Sequence, residues 1–356
     1  MSRSVARWIA HHDRQQVDLA FVVDCTGSMG SYIAQVQRHI TFIAERVSRT
    51  AFNVRLALVE YRDHPPQDTS FVVRSHDFTD DVNEIKVWVS EMSAAGGGDT
   101  PEAVADGLHA GLRLSYRQRA TKICVWIGDA QPHGLNRTGD EIPDGCPDNH
   151  DPVAICHQMA ARGIILYCVG CEPALRPFRD FFMGLSLITG GQYIRLHRAN
   201  LLSQVIVLLT EEEVENENLL GHVRDHISLA FRRNPSITVD QLAEHIHGVF
   251  RLNNNRTRRI RYNNREIEGF TDQARAISHM PTLADASASI REQLEARQRQ
   301  AVADEDDDVG VITSADITAL DEVSPRTCER LVIRSMAQHR QETGENDGND
   351  GDQMQQ

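Results

Sequence analysis

Apolar positions along this chain fall into two alternating rhythms. Apolar-rich runs occupy 17–24, 53–61, 122–127, 164–169 and 192–196, with a further short stretch at 70–74. Between them, apolar residues recur every three or four positions, as in Ile33, Val36, Ile40, Ile43 and Val47, or Val82, Ile85 and Val89. The first rhythm predicts buried strands and the second amphipathic helices. Helices are thus expected over 31–49, 80–92, 152–162 and 175–188, from Thr100 through Val104, Leu108 and Leu112, and from 201 onward. Strands that alternate with helices predict an α/β fold: a doubly wound, mostly parallel, Rossmann-like sheet covered by helices on both faces. The 70–74 stretch reads as a strand at or near the sheet edge.

The rhythm changes after residue 210. The run Glu211-Glu212-Glu213-Val214-Glu215 marks an exit toward a second unit. There Leu219, Val223, Ile227 and Phe231 fall four apart on one helical face. Pro235 interrupts the chain, and Thr238 to Gln241 fits a capping box ahead of Leu242, Ile246 and Phe250. Further helical spacing covers 271–279 and 284–300. Asp304 to Asp308 is a like-charge run, and 341–356 holds almost nothing to bury. The organisation read from this is a polar arm at 1–16, an α/β domain at 17–210, a smaller helical unit at 211–300 and an acidic, largely disordered tail at 301–356.

Composition narrows the function. In 356 residues, 40% hydrophobic and 25% charged, the formal net charge is -14, which argues against a general nucleic-acid or anionic-membrane binder. No apolar run is long enough to span a bilayer and the N-terminus lacks an apolar signal core, so a soluble, cytoplasmic protein is expected. Seven cysteines, an odd count, are expected as free thiols.

Chemistry concentrates at Asp24-Cys25-Thr26-Gly27-Ser28-Met29-Gly30, where the first strand gives way to a helix. The turn carries one carboxylate and two hydroxyls at the carboxyl edge of the sheet, where open α/β folds place ligands. Ser28 as a helix cap is the plain alternative. Thr100, in Gly-Gly-Gly-Asp-Thr-Pro-Glu, is expected at a helix start with Pro101 in the first turn, and Asp129 follows the 122–127 strand. Loops at one sheet edge can bring Asp24, Thr26, Ser28, Thr100 and Asp129 to a single hard cation, Mg2+ above all, with Mn2+ or Ca2+ also suited.

These residues resemble the metal-ion-dependent adhesion site of the von Willebrand factor A-type domain, an Asp-x-Ser-x-Ser turn with a distant Thr and Asp. Thr26 stands where Ser is commoner and keeps the hydroxyl. The stretches Tyr61 to Asp68, Asp129 to Gly134 and Val169 to Pro173 are similar to the A-type domain of the alpha-kinase group related to myosin-heavy-chain kinases. The resemblance spans 17–209; beyond it no phosphate loop or kinase-like catalytic set is found, so kinase activity is not carried over. It implies a metal-dependent protein-interaction module, an adaptor or scaffold rather than an enzyme. Asp24, Thr26, Ser28 and Thr100 would surround the ion, directly or through water. Asp129 would hold a coordinating water, and one position would await a partner's Asp or Glu. A metal-dependent hydrolase or phosphotransferase at the same ion is the alternative, with Arg62 as its nearest phosphate-holding candidate.

Other signals are weaker. Cys146, His150, Cys156, His157 and His133 hold zinc-type ligands, but read more simply as a polar loop rim beside a buried thiol. Cys168 and Cys171 have redox-like spacing at a strand end, and Asp63-His64 reads as part of the turn before Pro65-Pro66. The basic cluster at 256–262 is read as a contact for acidic stretches, with nucleic-acid binding as the lesser alternative.

Overall fold

The computed structural model describes residues 16–47, 53–196, 202–234, 236–257, 260–262, 265–266, 269–300, 315–317 and 321–343. The polar arm, the acidic run at 304–308 and the chain after 343 lie outside these. Six strands form the central sheet: β1 (Gln16–Asp24), β2 (Asn53–Tyr61), β3 (Val73–Thr79), β4 (Thr121–Gly128), β5 (Ile164–Cys171) and β6 (Tyr193–Leu196), in the order β3-β2-β1-β4-β5-β6. β3 runs antiparallel at one edge and the other pairs are parallel. The edge strand was expected over 70–74 and instead covers Val73–Thr79.

The sheet is doubly wound as expected. One face packs Leu19, Phe21 and Val23 under α1 (Ile33–Val47), α2 (Val82–Glu91) and the first turns of α6 (Leu202–Arg233). The other packs Ala20, Val22 and Trp126 under α3 (Val104–Arg113), α4 (Pro152–Ala161) and α5 (Arg179–Ile188). Residues of β1 are buried on both faces, which is why its sequence shows no alternation. Helix starts are local: Asp81 accepts from Asn83 N–H, and Asp151 accepts from the Val153 and Ala154 N–H groups with Pro152 at the first position.

The C-terminal third is wrapped against this sheet. The helical unit contains α7 (Val239–Leu252), α8 (Asp272–Ser278), α9 (Leu283–Gln300) and α10 (Pro325–Thr343). The capping box at Thr238 and Gln241 is present. Leu219, Leu220, Val223 and Ile227 of α6 form a third core with Leu242, Ile246, Phe250, Leu331 and Val332. Ile277 and Ile290, by contrast, join the sheet's own core. Two expectations are corrected here. Residue 210 is no break, because α6 runs unbroken from Leu202 to Arg233. The stretch expected to be a disordered tail contains a packed helix, α10, with Cys328, Leu331 and Val332 buried.

One network explains both corrections. Glu212 and Glu213, read as part of an exit toward a second unit, are 3% and 0% exposed. Arg330 donates to Glu212 at 2.9 Å, to Glu213 and to Gly190 O, while Arg334 donates to Glu213 and Glu217, each at 2.8 Å. Tyr167 of β5 also donates to Glu213. A charge run looks like such an exit only until arginines more than a hundred residues away return to it.

Candidate metal centre

β1 lies between β2 and β4, so the chain leaves it in opposite directions on its two sides: a topological switch point, where a crevice opens beyond the strand ends. Asp24 ends β1 there, fully buried, beside Tyr61 of β2 in register. Its Oδ1 accepts from the Thr26 N–H at 2.9 Å and the Thr26 hydroxyl at 2.6 Å. The Thr26 hydroxyl lies 3.1 Å from that of Ser28, which donates to Asp129 Oδ1 at 2.8 Å. Four of the five expected residues are therefore joined by one unbroken chain of short polar contacts. Ser28 does not cap the following helix; its hydroxyl is taken up by Asp129.

Thr100 is placed differently. It is exposed, its N–H donates to Gly139 O at 3.2 Å and its hydroxyl faces Gly139, where an added Cβ would lie 2.9 Å away. The expected helix start at Thr100 is also corrected, since α3 begins at Val104 with Ala103 before it. The chain stays extended past Pro101 because Glu102 bridges Pro132 and donates its N–H to Gln131 O.

That extension delivers Glu102, which sequence reading passed over as a first-turn acid. The residue is 4% exposed, and its carboxyl is pushed up to about 10 by burial and then by Asp24 and Asp63, with Thr26 acting in the opposite sense. Gly97, at φ +78°, makes room for it: a Cβ there would fall 2.6 Å from Glu102 Oε1. Gly27 N–H to Gly96 O and Ala95 N–H to Cys25 O stitch this loop to the first.

Burial leaves the acids of this cluster hard to ionise. Burial and then Asp129 push the Asp24 carboxyl up to about 7, and burial raises Asp129. Asp24 Oδ2 and Glu102 Oε2 are buried without a hydrogen-bond partner, as is the Tyr61 hydroxyl. Arg62 does not neutralise them: its guanidinium donates to Cys25 O, Ser70 and Ser93. Carboxylate and hydroxyl oxygens with an unsatisfied buried lone pair suit a hard divalent ion. The residues present fit one.

A second polar cluster adjoins the first. His133 bridges Asp63 at 2.7 Å and Asp140 at 2.9 Å; it is 2% exposed by side chain. Burial alone would lower its pKa, but the two carboxylates prevail and hold it at about 9. Of the other zinc-type residues named from sequence, Cys156 is buried in the core and His157 faces Met280 O at 2.9 Å. All seven cysteines are free; Cys168 and Cys171 are buried, and burial raises their thiol pKa.

An open doubly wound α/β domain with a hydroxyl and carboxylate cluster at its switch point defines the class. The comparisons with known proteins agree with it: residues 18–139 match the family model described as the von Willebrand factor A domain, and the chain contains a domain of this family. Over 136 residues it is 31% identical to the alpha-protein kinase vwkA of Dictyostelium discoideum, covering 37% of this chain and 21% of that protein. Over 194 residues it is 29% identical to an ariadne-like RING finger protein of Acanthamoeba polyphaga mimivirus, covering 52% and 18%. The chain thus spans about a fifth of the length of these curated relatives. Similar solved structures include the pilus adhesin SpaC of Lactobacillus rhamnosus GG, with TM-score 0.43, 13% identity, and 57% of this chain and 30% of that one covered. A von Willebrand factor type A structure from Catenulispora acidiphila has TM-score 0.41, 15% identity, and coverage of 56% and 43%. Among the described residues no helix is long and apolar enough to cross a membrane.

Proposed function

We propose that this chain is a divalent-cation-dependent protein-interaction module, an adaptor or scaffold whose ion, Mg2+ in the first instance, is completed by an acidic side chain of a partner. The observation that carries the reading is the contact chain Asp24–Thr26–Ser28–Asp129, with Asp24 Oδ2 buried and unpaired beneath the exposed Ser28. Asp24, Thr26 and Ser28 would hold the ion. Asp129, already accepting from Ser28, would act through a hydroxyl or water, and Glu102 takes the supporting place expected of Thr100. A dication held by one direct carboxylate and neutral hydroxyls keeps positive charge toward solvent, which attracts an incoming Glu or Asp. Arg62, the phosphate-holding candidate of the hydrolase alternative, is engaged with backbone and serine oxygens, so nothing favours that alternative.

Capture of proteins from an extract in Mg2+, followed by release with EDTA, tests the reading. Wild type should release a specific set that Asp24→Ala/Ser28→Ala never captures. Equal, EDTA-insensitive capture by both would contradict it.

A further inference from the structure

Away from the Mg2+ cluster, four metal-ligating side chains from three parts of the chain meet at Asp106. His64, in the loop after β2, places Nε2 2.9 Å from Asp106 Oδ2. His150 places Nδ1 2.8 Å from Asp106 Oδ1, and Cys146 Sγ lies 3.2 Å and 3.4 Å from the two oxygens. Ligand atoms of His64, Asp106 and Cys146 all lie within 4.8 Å of one another, as do those of Asp106, Asp148 and His150. Asp106 and His64 are each 4% exposed, whereas Cys146 and His150 are half-buried.

We propose that His64, Asp106, Cys146 and His150 form a structural zinc site. The donor set is the first argument. One thiol, two imidazoles and one carboxylate are the ligands of a borderline-soft ion, unlike the all-oxygen set at Asp24. Geometry is the second. A tetrahedron with bonds of about 2.0 Å to nitrogen and oxygen and about 2.3 Å to sulfur has edges of roughly 3.3–3.7 Å. The contacts of His64 and Cys146 to Asp106 Oδ2, at 2.9 Å and 3.2 Å, need open by only a fraction of an ångström to admit the ion, and His150, which meets the other oxygen Oδ1 and groups with Asp106 and Asp148, must swing toward them to close the fourth corner.

Backbone construction is the third argument. Cys146-Pro147-Asp148-Asn149 closes a turn, with Asn149 N–H donating to Cys146 O at 2.9 Å. Asn149 then takes φ 59°, the left-handed conformation Asn tolerates best among residues with a Cβ, and sends His150 back beside Cys146. The turn thus brings two ligands to one carboxylate on the first turn of α3. The loop between β4 and α4 is largely polar, with little apolar area of its own to hold it. An ion tied to α3 and the β2 loop would pin its far end, at Cys146 and His150, just ahead of α4.

The test uses the full chain, stripped with chelator, reloaded with zinc alone and washed. About one zinc per chain should be retained, and Co2+ substitution should give tetrahedral visible bands with a thiolate charge-transfer band. Cys146→Ser, a near-isosteric change, should abolish the charge-transfer band. Asp106→Asn or His150→Ala should weaken zinc at least about 100-fold, the upper end of what even outer-shell partners cost. Asp24→Ala should retain the zinc in full, which separates this site from the Mg2+ reading. Zinc should also protect Cys146 of the wild type from alkylation, a readout independent of whether any variant folds. Failure to retain zinc, a Co2+ spectrum unchanged in Cys146→Ser, or alkylation of Cys146 at equal rates with and without zinc would leave a purely hydrogen-bonded cluster and overturn the proposal.

Discussion

At the residue scale, burial makes the Asp24 carboxyl costly to ionise. Its carboxyl is pushed up to about 7 by desolvation and then by Asp129. A group whose folded pKa exceeds its unfolded value becomes a growing liability as pH rises from the unfolded value toward the folded one. An ion that pairs with the ionised form removes that liability. Stabilisation by Mg2+ should therefore grow between pH 6 and pH 8, measured as the Mg2+-induced shift in melting temperature. A shift that is flat or falls over this range would count against Asp24 as ligand. Asp24, Thr26, Ser28 and Asp129 were legible in the sequence because each ends or follows an apolar strand, and strand ends of a parallel sheet share an edge. Glu102 was not: its position after Thr-Pro reads as a helix start, and only the pairing of its backbone with Gln131 and Pro132 turns it inward.

The element that departs furthest from sequence expectation is the long loop between β4 and α4. Its polar composition predicts a solvated rim, yet His133 is buried between Asp63 and Asp140. Buried carboxylates make an imidazolium a clamp. His133 has its pKa raised from 6.5 to about 9, so its contribution is whole below about pH 6.5 and is lost as pH rises through 9. The loop should loosen first in that range, detected as hydrogen exchange of 131–145 that accelerates between pH 8 and pH 10 beyond the intrinsic rate. The clamp should be worth on the order of 2–3 kcal/mol at neutral pH. In His133→Gln the acceleration should vanish, because the loop is already loosened. Strands and helices were legible because periodicity belongs to single elements. The pairs His64–Asp106 and His133–Asp63 were not, because which loops face one another is decided by the sheet order.

For the whole molecule, the decisive fact is that the C-terminal helix returns to the sheet. Charge patterning along the chain divides it at 211, while the packed structure joins α6, β5 and α10 through Arg330, Glu212, Glu213 and Tyr167. Removing one member of a buried ionic network strands the others. Arg330→Leu should cost about 3–5 kcal/mol in urea unfolding, with Glu213→Gln in that background restoring part of the loss. A loss under about 1 kcal/mol would mean the helix is peripheral. If the domain and the helical unit unfold as one, the m-value should stay unchanged, because the surface exposed is the same.

At the switch point, oxygens from separate loops are proposed to form one divalent-ion site. Calorimetric titration of the chelator-treated chain with Mg2+ tests it most directly. Wild type should bind about one ion per chain at the Asp24 cluster, and Asp24→Ala/Ser28→Ala, folded by circular dichroism, should show no saturable heat. Saturable binding of equal affinity by both proteins would contradict the account.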